Sequence, residues 1–399
     1  MVALATILLL TVALAASFFA AWAIGAGSSG ATPFAPAVGA NAITTMRAAF
    51  IVGLVAFLGA VLQGAAVTET IGQDLIVGET LTPLAATVAL SISALAIAAG
   101  VFKGYPIATA FAISGGVAGV GIAMGGDPAW QRYGEITAYW VLTPVFVTPV
   151  AYVVTKLLRN ENYSELVVLS LLSSVVGLTI ANMEFLLLGS DGQQESIASR
   201  IAMDLLPFSR TVGVVATSIL IAGFVSGIVF RSARRNLVAS QQNFLLGLGI
   251  LVAFTAGGGK VGLAVGPLLP LLEDLFARPM ITPVLIFGAV GMLLGTWMVA
   301  SRMIKALSQD YSSLGPRRSV GVLIPSFVIA QIGIFFGLPM SFNQIFIFAM
   351  LGAGYAAGGD TVSQKKMFYT VVAWVASLVF SFVVGYGVYL GVSELLGVA

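Results

Sequence analysis

The chain has no cysteine and no histidine among its 399 residues. Without cysteine there is no disulfide, no thiolate metal site and no thiol nucleophile, and the redox compartment leaves no mark on the sequence. Without histidine the commonest metal ligand, general base and near-neutral proton switch is missing. Charge is scarce too: 9% of residues are Asp, Glu, Lys or Arg, and the net charge of +2 is too small to favour nucleic acid or a polybasic lipid contact. An enzyme here would have to work with Ser, Thr, Lys and carboxylates, and no stretch assembles a nucleophile with a base. The sequence therefore reads as a non-enzyme with no cofactor and no bound metal.

What the chain has is apolar length. Its 59% hydrophobic content and mean hydropathy of +1.04 lie far outside the range of soluble domains. At roughly 20 residues per span the apolar runs predict about twelve crossings, near 2–24, 46–66, 81–102, 104–124, 135–157, 163–187, 207–230, 238–257, 281–300, 319–337, 338–357 and 367–390. The run from Met1 to Ala23 lacks a basic leader and is as long as a full span, so it reads as a transmembrane helix rather than a signal peptide. With loops assigned alternately to two sides, 13 of the 18 basic residues share one side, while Arg132, Arg200, Arg210 and Arg278 fall on the other and Lys260 lies in a membrane segment. The basic side is the cytoplasm, so both termini are expected outside a cell membrane.

The chain repeats itself. Lys103 to Phe111 returns 233 residues later as Phe336 to Gln344, with Gly104 and Pro106 matching Gly337 and Pro339. Identities continue at Gly119/Gly352, Gly121/Gly354, Gly125/Gly358, Gly126/Gly359 and Asp127/Asp360. Pro36 and Arg47 match Pro267 and Arg278, and Trp140-Val141 matches Trp374-Val375. Copy one is 1–158 and copy two 238–399, each with five passes, joined by two linking helices over 159–237. Seven passes separate equivalent helices, an odd number, so the copies must run in opposite directions. Matched apolar segments broken by Gly and Pro in two halves point to the binding site of a secondary transporter.

Four breaks could carry chemistry. The first runs from Gly25 to Pro36, with three glycines and two prolines, and no helix is expected to continue through it. Unwound backbone at membrane depth survives only when buried in protein or facing a polar cavity. Ser28, Ser29 and Thr32 supply hydroxyls there, and a half-helix restarting near Pro36 would aim its amides at an anion. The second break is expected over 256–267, where Gly258 and Gly259 precede Lys260. An ionisable residue at that depth is a functional candidate, because an unpaired charge there costs at least about 3 kcal/mol. Thr109 in the first hairpin, with Ser341, Asn343 and Gln344 in the second, offers uncharged donors and acceptors suited to an oxyanion. Small-residue packing, interhelical hydrogen bonds and a lysine snorkelling to the interface are the competing explanations.

With these features the chain resembles the inorganic phosphate transporter (Pit) family of sodium- or proton-coupled phosphate permeases. The resemblance rests on Gly25-Ala26, Pro36-Ala37-Val38-Gly39, Arg47, Leu58 to Leu62 and Val67-Thr68-Glu69-Thr70-Ile71 in copy one. Copy two adds Ala264 to Leu268, Gly295-Thr296-Trp297 and Gly337-Leu338-Pro339. In that family an Asn-Asp pair in each copy helps bind sodium and the paired breaks hold phosphate. Here the first pair aligns with Gly27-Ser28 and the second with Gly259-Lys260. The hairpin histidines become Phe111 and Gln344, and a glutamate of the second helix becomes Ala56. The resemblance thus implies an all-α polytopic fold with inverted repeats and broken or re-entrant helices, and transport of an inorganic oxyanion, phosphate first, by alternating access. It does not carry over sodium coupling through the usual Asp sites, although proton and sodium both stand as candidate coupling ions. A sulfate permease and a non-transporting anion receptor or regulator are the alternatives, and a homodimer is left open.

Overall fold

The computed structural model describes residues 2–189, 193–205, 209–308, 315–358 and 363–397, which are almost wholly helical. Copy one contains α1 (Val2–Ile24), a π-helical turn (Gly25–Ser29), α2 (Ala35–Gly39), α3 (Thr45–Gln63), α4 (Ala65–Gln73), α5 (Pro83–Lys103), α6 (Thr109–Ala123) and α7 (Trp130–Arg159). Between the copies lie α8 (Glu165–Ala181), α9 (Ile197–Leu205) and α10 (Arg210–Arg235). Copy two contains α11 (Leu237–Val265), a 3-10 turn (Gly266–Leu268), α12 (Leu269–Phe276), α13 (Ile281–Ala306), α14 (Pro316–Phe335), α15 (Phe342–Tyr355) and α16 (Gln364–Leu396). Two antiparallel pairs of two residues each tie loops together, Ile76–Val77 with Asp127–Pro128 and Glu184–Phe185 with Glu195–Ser196. Gly359 and Asp360, the last matched positions of the second copy, lie outside the described residues.

Among the described residues nine helices are long and apolar enough to cross a membrane, fewer than the twelve spans expected. All twelve apolar runs do form helices, but α6, α8 and α15 have only 15, 17 and 14 residues. At 1.5 Å per residue, α6 and α15 reach about 21–23 Å, against a hydrocarbon core of about 30 Å. They are the short arms of two hairpins, α5–α6 and α14–α15. Outward-facing Val141, Val145, Phe224, Ile228, Val375 and Val379 are exposed, which suits contact with lipid and would be a liability in water. The chain is a multi-pass membrane protein.

The first expected break is present. The π turn at Gly25–Ser29 bonds Gly30 N–H back to the Gly25 carbonyl (3.1 Å), and Ala31 and Thr32 donate to the Ser28 carbonyl (3.1 and 3.2 Å). The chain therefore changes direction without stranding these donors, as burial in an apolar medium demands. The expected half-helix near Pro36 is only the five residues of α2, whose amides bond locally; it offers no anion site of its own.

The second expected break is overturned. α11 runs unbroken through Gly257, Gly258, Gly259 and Lys260 to Val265 and yields only in the 3-10 turn that follows. Its glycines serve close packing. A methyl group on Gly257 would overlap the Ala56 carbonyl, and one on Gly59 would overlap the Phe254 carbonyl, so α11 and α3 touch backbone to backbone. Keeping helical hydrogen bonds in a medium without water outweighs the roughly 1 kcal/mol each helical glycine costs. The same kind of contact joins α1 and the π turn to α13, where Gly295 meets the Trp22 carbonyl and Gly25 the Met292 carbonyl.

A matched pair of substitutions in α11 tests this packing. Gly257→Val should push α11 from α3 and lower stability by about 1–3 kcal/mol. Gly247→Ala, which has open space around it, should be neutral or stabilise by up to about 1 kcal/mol. Thermal unfolding in detergent reads both, and equal melting of Gly257→Val and the parent would contradict the close contact.

Candidate functional site

Both hairpins turn the same way. α5 ends at Lys103, and Gly104 takes a left-handed conformation (φ 75°); after α14, Gly337 does the same (φ 62°). Positive φ is strained for a residue with a Cβ, which explains glycine at both positions. Pro106 and Pro339 then keep the chain from re-entering a helix at once. Their carbonyls would be orphaned at depth, and each is satisfied by an indole N–H from the far end of the sequence. Trp374 Nε1 donates to the Pro106 carbonyl at 2.7 Å, and Trp140 Nε1 donates to the Pro339 carbonyl at 2.8 Å.

Asn343 fastens these parts together. Its Nδ2 donates to the Ile107 carbonyl in the first hairpin tip (2.7 Å) and reaches the Gly27 carbonyl in the π turn (3.4 Å). The start of α15 is thereby held against the first tip, from which α6 springs at Thr109. First-turn amides of a helix lack intrahelical acceptors and favour negative charge. Beside them stands Lys260 on α11, fully buried, its Nζ donating to Ser28 Oγ and lying 5.7 Å from the centre of the Phe342 ring. No ion pair to Lys260 is present among the described residues. Two polar atoms in this neighbourhood, Thr109 Oγ1 and Asn343 Oδ1, are buried without a hydrogen-bond partner among the described residues.

The ten residues expected at the site divide into two groups. Ser28, Lys260 and Asn343 are linked by hydrogen bonds through the π turn, and Thr109 follows the Ile107 carbonyl that Asn343 also bonds, its own hydroxyl without a partner among the described residues. Thr32 Oγ1 donates to the Ser28 carbonyl (2.9 Å) and Ser29 Oγ to the Ile24 carbonyl (3.4 Å), so both hydroxyls maintain the π turn. Ser341 Oγ caps α15 by accepting from Gln344 N–H (3.4 Å), and Gln344 Nε2 donates to the Trp140 carbonyl (2.8 Å). Gly258 and Gly259 face Gln63 and Met340, and neither offers a free amide inside the helix.

Other polar residues that tie helices together escaped the sequence reading. Gln63 and Gln331 exchange amide hydrogen bonds at 3.0 and 3.1 Å, and Gln331 also donates to Thr255 Oγ1 at 2.7 Å, linking α3, α14 and α11. Arg132 Nη2 donates to Thr70 Oγ1 (2.7 Å) and the Phe336 carbonyl (3.1 Å), tying the second hairpin to α4. Two glutamines inside apolar runs were the available signal for the first network; nothing in the sequence pairs Arg132 with a carbonyl 204 residues away.

Chemically these residues offer a lysine amino group, two hydroxyls, an amide and two helix starts, a set suited, with the lysine protonated, to an anion with several oxygens. The model of the phosphate transporter family matches residues 24–385. A protein of Chlamydia trachomatis is 24% identical, with the alignment covering 92% of this chain and 94% of that protein. "Inorganic phosphate transporter 2-1, chloroplastic" of Arabidopsis thaliana is also 24% identical, over 94% of this chain and 71% of its own length. Among solved structures, "The sodium-dependent phosphate transporter" superposes with a TM-score of 0.80 over 97% of this chain and 99% of that one, at 22% identity, a likeness of fold. The family match spans nearly the whole sequence, and the chain belongs to the phosphate transporter family.

Proposed function

We propose that this chain carries inorganic phosphate across a cell membrane by alternating access, binding it between the hairpin tips at Ser28, Thr109, Lys260 and Asn343. The observation that carries the reading is the fully buried Lys260 amino group, which bonds the Ser28 hydroxyl and has no ion pair among the described residues, together with two buried polar atoms, Thr109 Oγ1 and Asn343 Oδ1, that have no partner among them. An unpaired charge so placed is costly unless an anion completes it. The relatives named above are phosphate transporters, which favours phosphate over sulfate and over a receptor without transport activity.

Two opposed copies, 1–158 and 238–399, would form the moving parts, with 159–237 between them. Support comes from contacts that recur with the copies exchanged. Gly119 packs on the Phe382 carbonyl of the other copy's last helix, and Gly352 packs on the Thr148 carbonyl. Trp374 and Trp140 cross in the same way. Such exchange suits two halves rocking about a shared site.

The charge at Lys260 also bears on coupling. A sodium site needs oxygen ligands and gains from a carboxylate, whereas this cluster presents a cation and no carboxylate among its residues. The ammonium would repel sodium and supply the positive charge a bound anion needs, so transport would not depend on sodium.

Reconstituted into liposomes, the protein should take up labelled phosphate equally well with sodium or choline outside; a steep sodium requirement would overturn the coupling reading, and no uptake under either condition would overturn transport. Thr109→Val should lose about 1 kcal/mol of phosphate binding, roughly fivefold in affinity. Lys260→Met should lose at least about tenfold, the usual worth of a charge-assisted bond. It should melt no lower than the parent, because a buried unpaired charge does not stabilise the apo fold.

The proposed orientation has a separate check. The chain contains no cysteine, and Gln73 and Lys305 are exposed. Single cysteines at these positions should react with an impermeant thiol reagent from opposite sides of the membrane, Gln73→Cys from outside. Labelling of both from one side would contradict the topology.

A further inference from the structure

We infer that Asn343 selects an oxyanion bearing a hydroxyl, and so separates phosphate from sulfate; the inference rests on the site proposed above. The amide of Asn343 is not free to choose its orientation. Its Nδ2 faces two carbonyls, Ile107 at 2.7 Å and Gly27 at 3.4 Å. Turned about, the amide would set oxygen against oxygen at both. The orientation that satisfies these carbonyls leaves Oδ1 as an acceptor, and it is fully buried with no donor among the described residues.

A guest at this position must therefore offer a donor as well as negative charge. Lys260 and the Thr109 hydroxyl can donate to oxygens that carry charge, but an acceptor cannot bind such an oxygen and repels it. At neutral pH every form of inorganic phosphate keeps at least one P–OH, whereas sulfate keeps none. Phosphate can lay its P–OH hydrogen on Asn343 Oδ1 and its charged oxygens toward Lys260. Sulfate has the shape and charge to enter, but it leaves the acceptor unpaired and opposed by a like partial charge. Sites that demand a hydrogen bond reject an analogue that lacks it far more strongly than sites that judge size alone. An unsatisfied buried acceptor corresponds to a discrimination of about ten- to a hundredfold.

Displacement of labelled phosphate from the purified protein in lipid nanodiscs tests the inference. Arsenate keeps the hydroxyl and should compete nearly as well as phosphate. Sulfate should compete about ten- to a hundredfold less well. Monofluorophosphate, which replaces the hydroxyl of the phosphate dianion by fluorine at the same charge, should compete as poorly as sulfate. Asn343→Leu removes the acceptor, so the ratio of phosphate to sulfate affinity should fall toward unity even if both affinities drop; a purely structural role would lower both and keep the ratio. The three unmodified-protein competitions stand even if that variant does not fold. Monofluorophosphate or sulfate competing on a par with phosphate would overturn the role of Asn343 while leaving phosphate binding intact. Failure to retain labelled phosphate at all would overturn the binding site itself.

Discussion

Two indole hydrogen bonds hold the two hairpin tips inside the membrane. A proline at a hairpin tip prevents continuous helix, and the carbonyl it leaves has no water to bond. Trp374 covers the Pro106 carbonyl and Trp140 covers that of Pro339. Because each tryptophan sits on the last helix of the opposite copy, neither tip can be built without the other half in place. The consequence is positional: α6 and α15 begin in the interior, and Asn343 joins the start of one to the tip preceding the other. The cluster around Lys260 exists because those tips are fixed.

That dependence explains how much was legible in the sequence. The apolar runs located every long helix, and Gly104, Pro106, Gly337 and Pro339 located both tips, because a left-handed turn followed by proline is a local property. The stretch from Gly257 to Lys260 misled for a physical reason. Three glycines suggest an unwound segment in water, where the backbone can find other partners. In an apolar setting the same glycines keep their helix and let α3 approach, as the Gly257–Ala56 and Gly59–Phe254 contacts record. Of the nominated residues, Lys260 bonds Ser28, Asn343 bonds the carbonyl beside Ser28, and Thr109 follows two residues after the Ile107 carbonyl that Asn343 also bonds. Ser341, Gln344, Ser29 and Thr32 were nominated for the same hydroxyls and amides, but backbone groups had already taken them. Ser29, Thr32 and Ser341 bond groups three to five residues away, whereas the partners of Gln344 and Asn343 lie 204 and 236 residues off, which no local pattern encodes. Trp140 and Trp374 were visible as repeat markers, yet their partners lie 199 and 268 residues off.

The proposed site would have electrostatics of its own within a shared fold. The solved relative is named for its sodium dependence. In this chain a lysine stands among the groups proposed to meet the anion; it lies by the Phe342 ring and is among the largest fully buried side chains. A tethered cation differs from a mobile one in a defined respect: it neutralises the anion on both sides of the membrane and draws nothing from an ion gradient. Alternating access would then proceed with charge compensation built into the protein, and the driving force would have to come from the anion itself or from a second species.

The central claim is that an oxyanion sits against the Lys260 ammonium. Magic-angle-spinning NMR on the lipid-reconstituted protein, with 15N-labelled lysine side chains and bound phosphate, measures it directly through 31P–15N dipolar dephasing. The account predicts one dephased ammonium signal, absent in Lys260→Met, with a coupling that corresponds to direct contact. Bound phosphate that dephases no lysine, or one other than Lys260, would contradict it.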